Sequence, residues 1–394
     1  MKTQTNTNVE PSRRRFIELL GGGVVLAAIP LASGCSTSMP AAAVAAWQLP
    51  PATQDLRRYI LAHALLAPNP HNRQPWLADL RQANEITLVC DKDRLLPETD
   101  PFGRQIVVGC GAFIELAVMA AAQRGHRVQV QLFPDGEPDM TKLPGGSKIA
   151  RLVLTPDAAI TPDPLLGQVA LRRTNKGVYD DARPVPQAQW AQFMSAGQEF
   201  GLLAGSVTDA SQLQSVRAIT RASYEIETIT PRTWLESGRL IRMGPSAIEK
   251  NRDGISIMGT MPRLLTAVGL FNPLDVPVKG DSNHKRMMER WGAFETGTGY
   301  FWLASKGNGR AAQVNSGRAY VRAQLMATAA GLSMHPVSQA LQEFAEVAQP
   351  YQALHRLLGF DPAANTVQML ARVGYPLAAS EPTPRRDLNT LLQV

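Results

Sequence analysis

The sequence contains few of the residues that disulfide scaffolds and zinc sites require. Its 394 residues include only three cysteines, Cys35, Cys90 and Cys110, and none of them belongs to a CxxC pair. No HExxH, GxSxG or Walker A motif occurs, which argues against a zinc protease, a serine hydrolase, a thioredoxin-like protein or a nucleotide hydrolase. Cys90 and Cys110 are predicted to be buried free thiols on a strand and a helix. A disulfide between them in an oxidising compartment stays open as the alternative.

Aromatic residues and clustered charges are scarce as well. Aromatic side chains make up 6% of the chain and charged side chains 19%, and the formal net charge is only +7. No run of lysines and arginines is interleaved with aromatic residues, so nucleic acid is not an expected partner. With 44% hydrophobic residues, the chain can bury one large core or two medium ones.

The first 35 residues have the pattern of an export signal. The segment SRRRFI at residues 12–17 matches a twin-arginine motif, and the apolar stretch at 19–32 is too short and too glycine-rich to span a bilayer comfortably. Export to the periplasm by the twin-arginine route is therefore predicted. Two alternatives stay open: acylation of Cys35, which would tether the protein to a membrane, and cleavage near Ala43 or Ala45. Residues 36–51, rich in Ser, Ala and Pro, are predicted to form a flexible linker.

The stretch APNPHNRQPW at residues 67–76 interrupts the periodic patterns around it. Three prolines within ten residues prevent a helix, while Asn72, Arg73 and Gln74 supply hydrogen-bonding groups beside the ring of Trp76. These residues suit a loop that binds a polar, planar partner. A structural turn whose Trp76 fills the core is the alternative that the residues alone leave open.

Hydrophobic periodicity predicts helices and strands before and after residue 168. The predicted helices cover residues 53–67, 103–124, 213–229, 310–330 and 354–360, and the predicted strands cover residues 86–90, 127–133, 149–154 and 367–373. Residues 103–124 are apolar nearly all round, which predicts a central helix in which Gly109 and Gly111 allow close packing. Residues 232–305 mix Gly, Pro and Met without a clear period, and we interpret them as an insertion that covers the binding site as a lid.

Three segments together resemble the nitroreductase-like flavoproteins. APxxxNxQPW after a helix is similar to the signature loop of that family, in which one subunit reaches the FMN held by the other, and the segments 86–125 and 171–186 are similar to the Acg-type branch. In that branch two nitroreductase-like halves lie in one chain. The resemblance implies an α+β fold, with a first half at 52–168, a second half at 169–394 and an insertion at about 232–305, so that the chain forms an intrachain pseudo-dimer.

The resemblance also implies how FMN is bound. Arg172, Thr174 and Lys176 fall where the family binds the flavin phosphate, and two cations with a hydroxyl on an extended segment suit a phosphate dianion. Arg385 and Arg386 follow a Gly-Tyr-Pro turn, after which the family places basic residues on the same phosphate. The residues alone leave open a solvated basic turn capped by Thr174 and a solvated basic tail.

The flavin ring is expected to meet both halves. The resemblance assigns the ring edge to the 67–76 loop, and it assigns the backbone N–H that faces N5 of the flavin to the segment 334–339, where the usual Pro-x-Glu-Gly is absent. The residues expected around the ring are Asn72, Gln74, Pro68, Asn69, Pro336 and Val337. Because the NxQPW loop occurs only in the first half and the basic segment only in the second, one FMN per chain is predicted.

Three functions fit these expectations. The first is an FMN-dependent oxidoreductase that reduces a small acceptor, a nitroaromatic or a quinone, and in which the flavin rather than a side chain or a metal carries the chemistry. Its electron donor is not identified, because free nicotinamide nucleotides belong to the cytoplasm that this chain is expected to leave. The second is an exported protein that holds flavin under a lid with little turnover. The third is a surface lipoprotein whose fold serves binding only.

Overall fold

The strands pair into two main sheets and one small ribbon in the computed structural model, which describes residues 38–51, 55–267, 269 and 272–393. The strands are β1 (Trp76–Asp79), β2 (Glu85–Cys90), β3 (His126–Leu132), β4 (Lys148–Pro156), β5 (Leu203–Val207), β6 (Ile241–Met243), β7 (Ile255–Ile257), β8 (Gly299–Lys306), β9 (Ser333–Pro336), β10 (Asn365–Gly374) and β11 (Leu392–Gln393). The predicted export signal at 1–35, with Cys35, lies outside the described residues.

The first sheet has the strand order β11-β1-β2-β4-β3. Its neighbouring strands are antiparallel except for β11, which runs parallel to β1 and pairs Leu392 with Ala78. The chain therefore returns from the second sheet to complete the first. This return corrects the predicted boundary of the second half, because the last strand of the segment 169–394 belongs to the first sheet.

The second sheet has the order β5-β8-β10-β9, and all of its pairs are antiparallel. Only β10 was predicted from the sequence. β8 extends from residue 299 to residue 306, so the insertion predicted at 232–305 ends earlier than expected. A Cβ atom at Gly205 on β5 would lie 2.2 Å from the indole of Trp302 on β8, which explains why a glycine occupies that position.

Helices cover both sheets, and the α+β class that the sequence predicted is confirmed. They are α1 (Ala41–Val44), α2 (Leu56–Ala64), α3 (Arg104–Gln123), α4 (Gln187–Glu199), α5 (Ala210–Ile229), α6 (Pro231–Arg239), α7 (Gly244–Lys250), α8 (Thr260–Ala267), α9 (Ser282–Trp291), α10 (Arg310–Ala329) and α11 (Ala348–Leu357). The predicted long helices correspond to α3, α5 and α10. The short helix predicted at 354–360 begins earlier, at residue 348.

The two long helices α3 and α10 cross at the centre and join the two halves. A Cβ atom at Gly111 would lie 2.0 Å from the carbonyl oxygen of Val314, and one at Gly317 would lie 1.9 Å from that of Val108. Close packing at Gly111 is therefore confirmed, with Gly317 as its counterpart. Gly109 instead makes room for the 67–76 loop, since its Cβ would lie 3.1 Å from the Cβ of Asn69.

The helix α3 is the only helix of the described residues that is long and apolar enough to cross a membrane. In the folded chain, 89% of its apolar window is buried inside the protein. It is therefore the central core helix that its sequence predicted.

Cys110 on α3 and Cys90 on β2 are buried free thiols, as the sequence predicted.

Residues 38–51 are not the flexible linker that their composition predicted. Ala43 and Trp47 are buried, and Trp47 Nε1 donates to the carbonyl oxygen of Thr383 at 2.8 Å. The backbone N–H of Arg385 donates to the carbonyl oxygen of Ala43 at 2.9 Å. A tryptophan in a segment rich in small residues was the signal for this packing, because a buried indole removes a large apolar area from water.

Candidate functional site

The loop at residues 67–76 has a strained backbone that its neighbours hold in place. His71, Asn72 and Gln74 have φ angles of 48°, 50° and 51°, in the left-handed region that residues other than glycine rarely adopt. The backbone N–H of Gln74 donates to Asn69 Oδ1 at 2.7 Å. Because such conformations persist only where surrounding contacts impose them, this loop has the geometry of a binding segment.

Gln74 links the loop to two distant segments. Its Oε1 atom accepts from the backbone N–H of Arg386 at 2.7 Å, and its Nε2 atom donates to the carbonyl oxygen of Arg252 at 2.8 Å. The guanidinium of Arg386 contacts the carbonyl oxygens of Gln74 and Trp76 and the carboxylate of Asp91. The structure therefore brings Gln74 and Arg386 together, and their contacts hold the loop in place.

Asn72 and Arg385 form a second link of the same kind. Arg385 Nη1 donates to Asn72 Oδ1 at 2.7 Å, and Asn72 Nδ2 donates to the carbonyl oxygen of Pro384 at 3.0 Å. Arg385 is 3% exposed, and its Nη2 atom also reaches the carbonyl oxygens of Leu66 and Ala67. The alternative of a solvated tail is therefore wrong, because both arginines at 385–386 are engaged with the protein.

Arg172 is buried beside Arg385. Its Nη2 atom donates to the carbonyl oxygen of Leu66 at 2.8 Å and its Nη1 atom to Gln324 Oε1 at 3.1 Å. Arg172, Arg173 and Arg385 lie over the ring of Trp47, at 5.5, 4.4 and 5.0 Å from its centroid. Burial lowers the pKa of Arg172 to about 10, and the Nε atoms of Arg172 and Arg385 lack hydrogen-bond partners.

A cavity of about 330 Å³ lies between the two halves and the insertion. The structure brings five of the residues predicted from the sequence to its wall: Pro68, Asn69, Thr174, Lys176 and Pro336. The other predicted residues do not line it: Asn72, Gln74, Arg172, Val337, Arg385 and Arg386. The cavity falls within the size range of small-molecule sites and is lined mainly by apolar groups, with a small number of polar ones.

Two cations face this cavity without a carboxylate partner among the described residues. Lys176 and Arg290 both line it, and neither forms an ion pair there. The surface of Lys176 is accessible from the cavity, yet the surrounding protein lowers its pKa, chiefly through burial and secondly through the charge of Arg290. An anionic or electron-rich ligand would relieve this repulsion.

His335 is held as a neutral hydrogen-bond donor. The Nε atom of Arg372, which is fully buried, donates to His335 Nδ1 at 3.1 Å. Burial and then the charge of Arg372 lower the pKa of His335 well below its usual value. The ring proton is therefore on Nε2, on a side chain that lines the cavity. His335 was not singled out from the sequence, although it lies inside the segment 334–339.

Helix α5 and the insertion together supply an aromatic wall. Tyr224 on α5 stacks on Trp291 at the end of α9, with centroids 4.4 Å apart, and Phe294 meets Trp291 edge to face at 5.1 Å. All three rings line the cavity, together with Trp234 on α6. The indole Nε1 atoms of Trp234 and Trp291 are buried without hydrogen-bond partners.

Asp253 ties this insertion to the first half. Its carboxylate accepts from Arg73 Nη1 at 2.7 Å, from Arg94 Nη1 at 3.0 Å and from Arg242 Nη2 at 2.8 Å. Arg73 belongs to the 67–76 loop, and Arg242 belongs to β6, which pairs in parallel with β7. The sequence of the insertion did not indicate that this aspartate binds three guanidinium groups.

Two curated relatives match the chain in sequence. It is 29% identical over 348 residues to Rv3131 of Mycobacterium tuberculosis H37Rv, which is provisionally named an NAD(P)H nitroreductase, and the match covers 85% of this chain and 90% of that protein. It is also 36% identical over 83 residues to the M. tuberculosis protein acg, which has the same provisional name; that match covers 21% of this chain and 25% of acg. No family model matches the chain.

Solved nitroreductase structures are also similar to this chain. The FMN-dependent nitroreductase NfnB from Mycobacterium smegmatis, solved in complex with NADPH, is 15% identical with a TM-score of 0.37, covering 57% of this chain and 94% of NfnB. A nitroreductase with bound FMN from Desulfitobacterium hafniense is 13% identical with a TM-score of 0.37, covering 59% of this chain and 100% of that one.

Proposed function

We propose that the chain is an FMN-binding oxidoreductase of the nitroreductase type, of the Acg-type branch, which binds one flavin and reduces a small acceptor such as a nitroaromatic or a quinone. The observation that carries this proposal is the cavity of about 330 Å³, whose wall combines Pro68 and Asn69 of the first half with Thr174 and Lys176 of the second. The names of the relatives, NAD(P)H nitroreductases, support the same reaction class.

The residues on the cavity wall fit a flavin. Lys176 offers an uncompensated cation to the electron-rich edge of the ring, and the hydroxyl of Thr174 lies two residues before it. Gly109 leaves the space in which Asn69 approaches α3. When bound, FMN would supply the electron and hydride transfer, while Lys176, Thr174, Asn69 and the backbone near Pro336 would bind and orient it.

Fewer residues are assigned to the phosphate of FMN than the sequence implied. Tyr320 lines the cavity, and its buried hydroxyl lacks a partner, as does the Nε atom of Arg172, whose charge acts on the same hydroxyl. We assign the phosphate of FMN to the part of the cavity wall that Tyr320 forms. Arg172 and Arg385, which are buried behind this wall, would supply positive charge there. Arg386 is excluded from the assignment because its guanidinium, unlike those of Arg172 and Arg385, is paired with a carboxylate among the described residues, that of Asp91.

The flavin content of the purified protein tests the proposal. We expect a yellow protein with about one FMN per chain, and Lys176→Met should retain clearly less FMN because the cavity loses the cation nearest the ring. Lys142→Met is the matched control, since Lys142 is an exposed lysine that does not line the cavity. A colourless protein that takes up no added FMN would contradict the proposal.

A second candidate is a flavin-holding protein with little turnover. The observation that favours it is the aromatic wall of Tyr224, Trp291 and Phe294, which α5 and the insertion contribute to the cavity. Bound flavin that is reduced by dithionite, but that supports no oxidation of NAD(P)H by a nitroaromatic or a quinone, would select this candidate. Steady turnover with either acceptor would select the oxidoreductase.

We also propose that the chain is exported by the twin-arginine route to the periplasm, where another donor replaces free nicotinamide nucleotides. The support is the SRRRFI segment and the apolar stretch after it. Cell fractionation should find the wild-type protein in the periplasm and the Arg13→Lys, Arg14→Lys double variant in the cytoplasm. Labelling with a radioactive fatty acid that Cys35→Ser abolishes would establish a lipid tether, and a soluble periplasmic protein without label would rule it out.

A further inference from the structure

The lid side of the cavity contains a carboxyl group that the proposed function does not use. Glu227 lies on α5, is 8% exposed and lines the cavity. The side chains of Gln339 and Gln342 hydrogen-bond to this carboxyl group, while its Oε2 atom has no partner. An unpartnered buried carboxyl oxygen is costly, so its retention at a cavity wall points to a ligand or to a proton.

Among the residues that the structure describes, no arginine or lysine forms an ion pair with Glu227. The glutamates of α5 differ in this respect, because Glu225 accepts from Lys279 at 3.3 Å and from His284 at 3.0 Å. Burial raises the pKa of Glu227 to about 7, and the charge of Lys176 lowers it only as a minor influence. The charged and titratable groups that face this part of the cavity are Lys176, Tyr224, Glu236, Arg290 and His335.

The two sides of the cavity differ in chemistry. The side formed by the two halves carries the residues assigned above to the flavin, with Asn69, Thr174 and Lys176 among them. Helix α5 contributes Glu227 and Tyr224 to the wall, and the insertion contributes Trp291, whose ring stacks on that of Tyr224. A planar acceptor that enters beside a flavin would therefore lie against the rings, with its oxygen atoms facing a carboxyl group.

We propose that Glu227 is a catalytic proton donor to the acceptor, an inference that rests on the proposed function. Reduction of a quinone to a hydroquinone requires two electrons and two protons. Glu227 gives one proton from its carboxyl group to an acceptor oxygen, is left as a carboxylate and regains a proton from water. The two electrons and the other proton come from the reduced flavin. The matching acceptors are quinones and nitro compounds, whose oxygens must be protonated as they are reduced.

Reoxidation of the reduced protein by two kinds of acceptor tests this role. Protein loaded with FMN is reduced and mixed with a benzoquinone, which needs protons, or with ferricyanide, which takes electrons alone. For Glu227→Gln we expect quinone reoxidation to slow by about 100- to 10,000-fold, with the ferricyanide rate unchanged. Glu227→Asp should recover part of the quinone rate. Glu225→Gln, the same substitution two residues earlier and off the cavity wall, should match the wild type.

An infrared titration gives a second readout that does not depend on turnover. The wild-type protein should lose one protonated carboxyl band as the pH rises through about 7, and Glu227→Gln should lack this band while Glu225→Gln keeps it. Equal slowing with quinone and ferricyanide, an unchanged quinone rate, or a band that persists in Glu227→Gln would each overturn the inference. Failure of the wild type to bind FMN would instead overturn the proposed function, and with it the step assigned to Glu227.

Discussion

Replacing Asp253 by asparagine should release the insertion from the first half. The carboxylate accepts from three guanidinium groups at 2.7 to 3.0 Å, and asparagine keeps its shape while removing its charge. Breaking a buried ion pair from one side costs about 3–5 kcal/mol, because the partner charge stays buried. Since the side chain of Arg94 is 23% exposed, we expect the lower end of this range, about 3 kcal/mol, for undocking of the insertion.

A loss of about 3 kcal/mol raises the population of the undocked insertion roughly 100-fold. Limited proteolysis with trypsin measures this population, because Arg239, Lys250 and Arg252 flank the contact and become cleavable when it opens. Mass spectrometry should locate the early cuts there in Asp253→Asn. Asp135→Asn removes only an exposed ion pair with Lys148, so trypsin should cleave this variant at the same sites and at the same rate as the wild type. Equal cleavage of the two variants would refute this account of how the insertion is held.

Two further predictions concern the centre of the fold and the loop. Gly317→Ala should destabilise the chain by about 1–3 kcal/mol or more, because its Cβ would lie 1.9 Å from the carbonyl oxygen of Val108, whereas Gly292→Ala, with no atom within 4 Å, should leave the melting temperature unchanged. His71 has a folded-state pKa lowered to about 4 by burial and by the charge of Lys176, so its protonation favours the unfolded chain, and stability should fall as the pH drops from about 6.5 to about 4. Urea denaturation at several pH values should show a smaller fall for His71→Gln, and an identical fall would contradict this assignment.

The sequence predicted the long helices well and the second sheet poorly, for a physical reason. The helix α3 is apolar along its whole length, so its sequence alone indicates burial. The strand β5 is short, contains Gly205 and owes its strand geometry to pairing with β8, which lies almost a hundred residues later. Such non-local pairing leaves little periodicity in either segment, and the insertion between them obscures it further.

The site shows the same division between local and non-local information. The 67–76 loop was predicted to bind a ligand from its resemblance to a family signature, because its own residues also allowed a structural turn. Lys176, predicted at the flavin phosphate, lies on the cavity wall with Pro68 and Asn69 of this loop. The motifs around Arg172 and Arg385 predicted cations at the phosphate of FMN. They could not show that both guanidinium groups donate hydrogen bonds to carbonyl oxygens of the protein, that of Leu66 among them. Glu227 was missed because a glutamate in an amphipathic helix is usually solvated, and the sequence does not show that it is buried beside Gln339 and Gln342.

The parallel pairing of β11 with β1 affects the order in which the protein can mature. The loop that borders the cavity depends on the N–H of Arg386, and the edge of the first sheet depends on Leu392, both synthesised after every other strand. During synthesis the helices can therefore form and pack early, but the cavity is complete only after Arg386 and Leu392 have been translated. Insertion of a cofactor would then be a late event that follows synthesis, and a truncated product would lack the loop support needed to retain one.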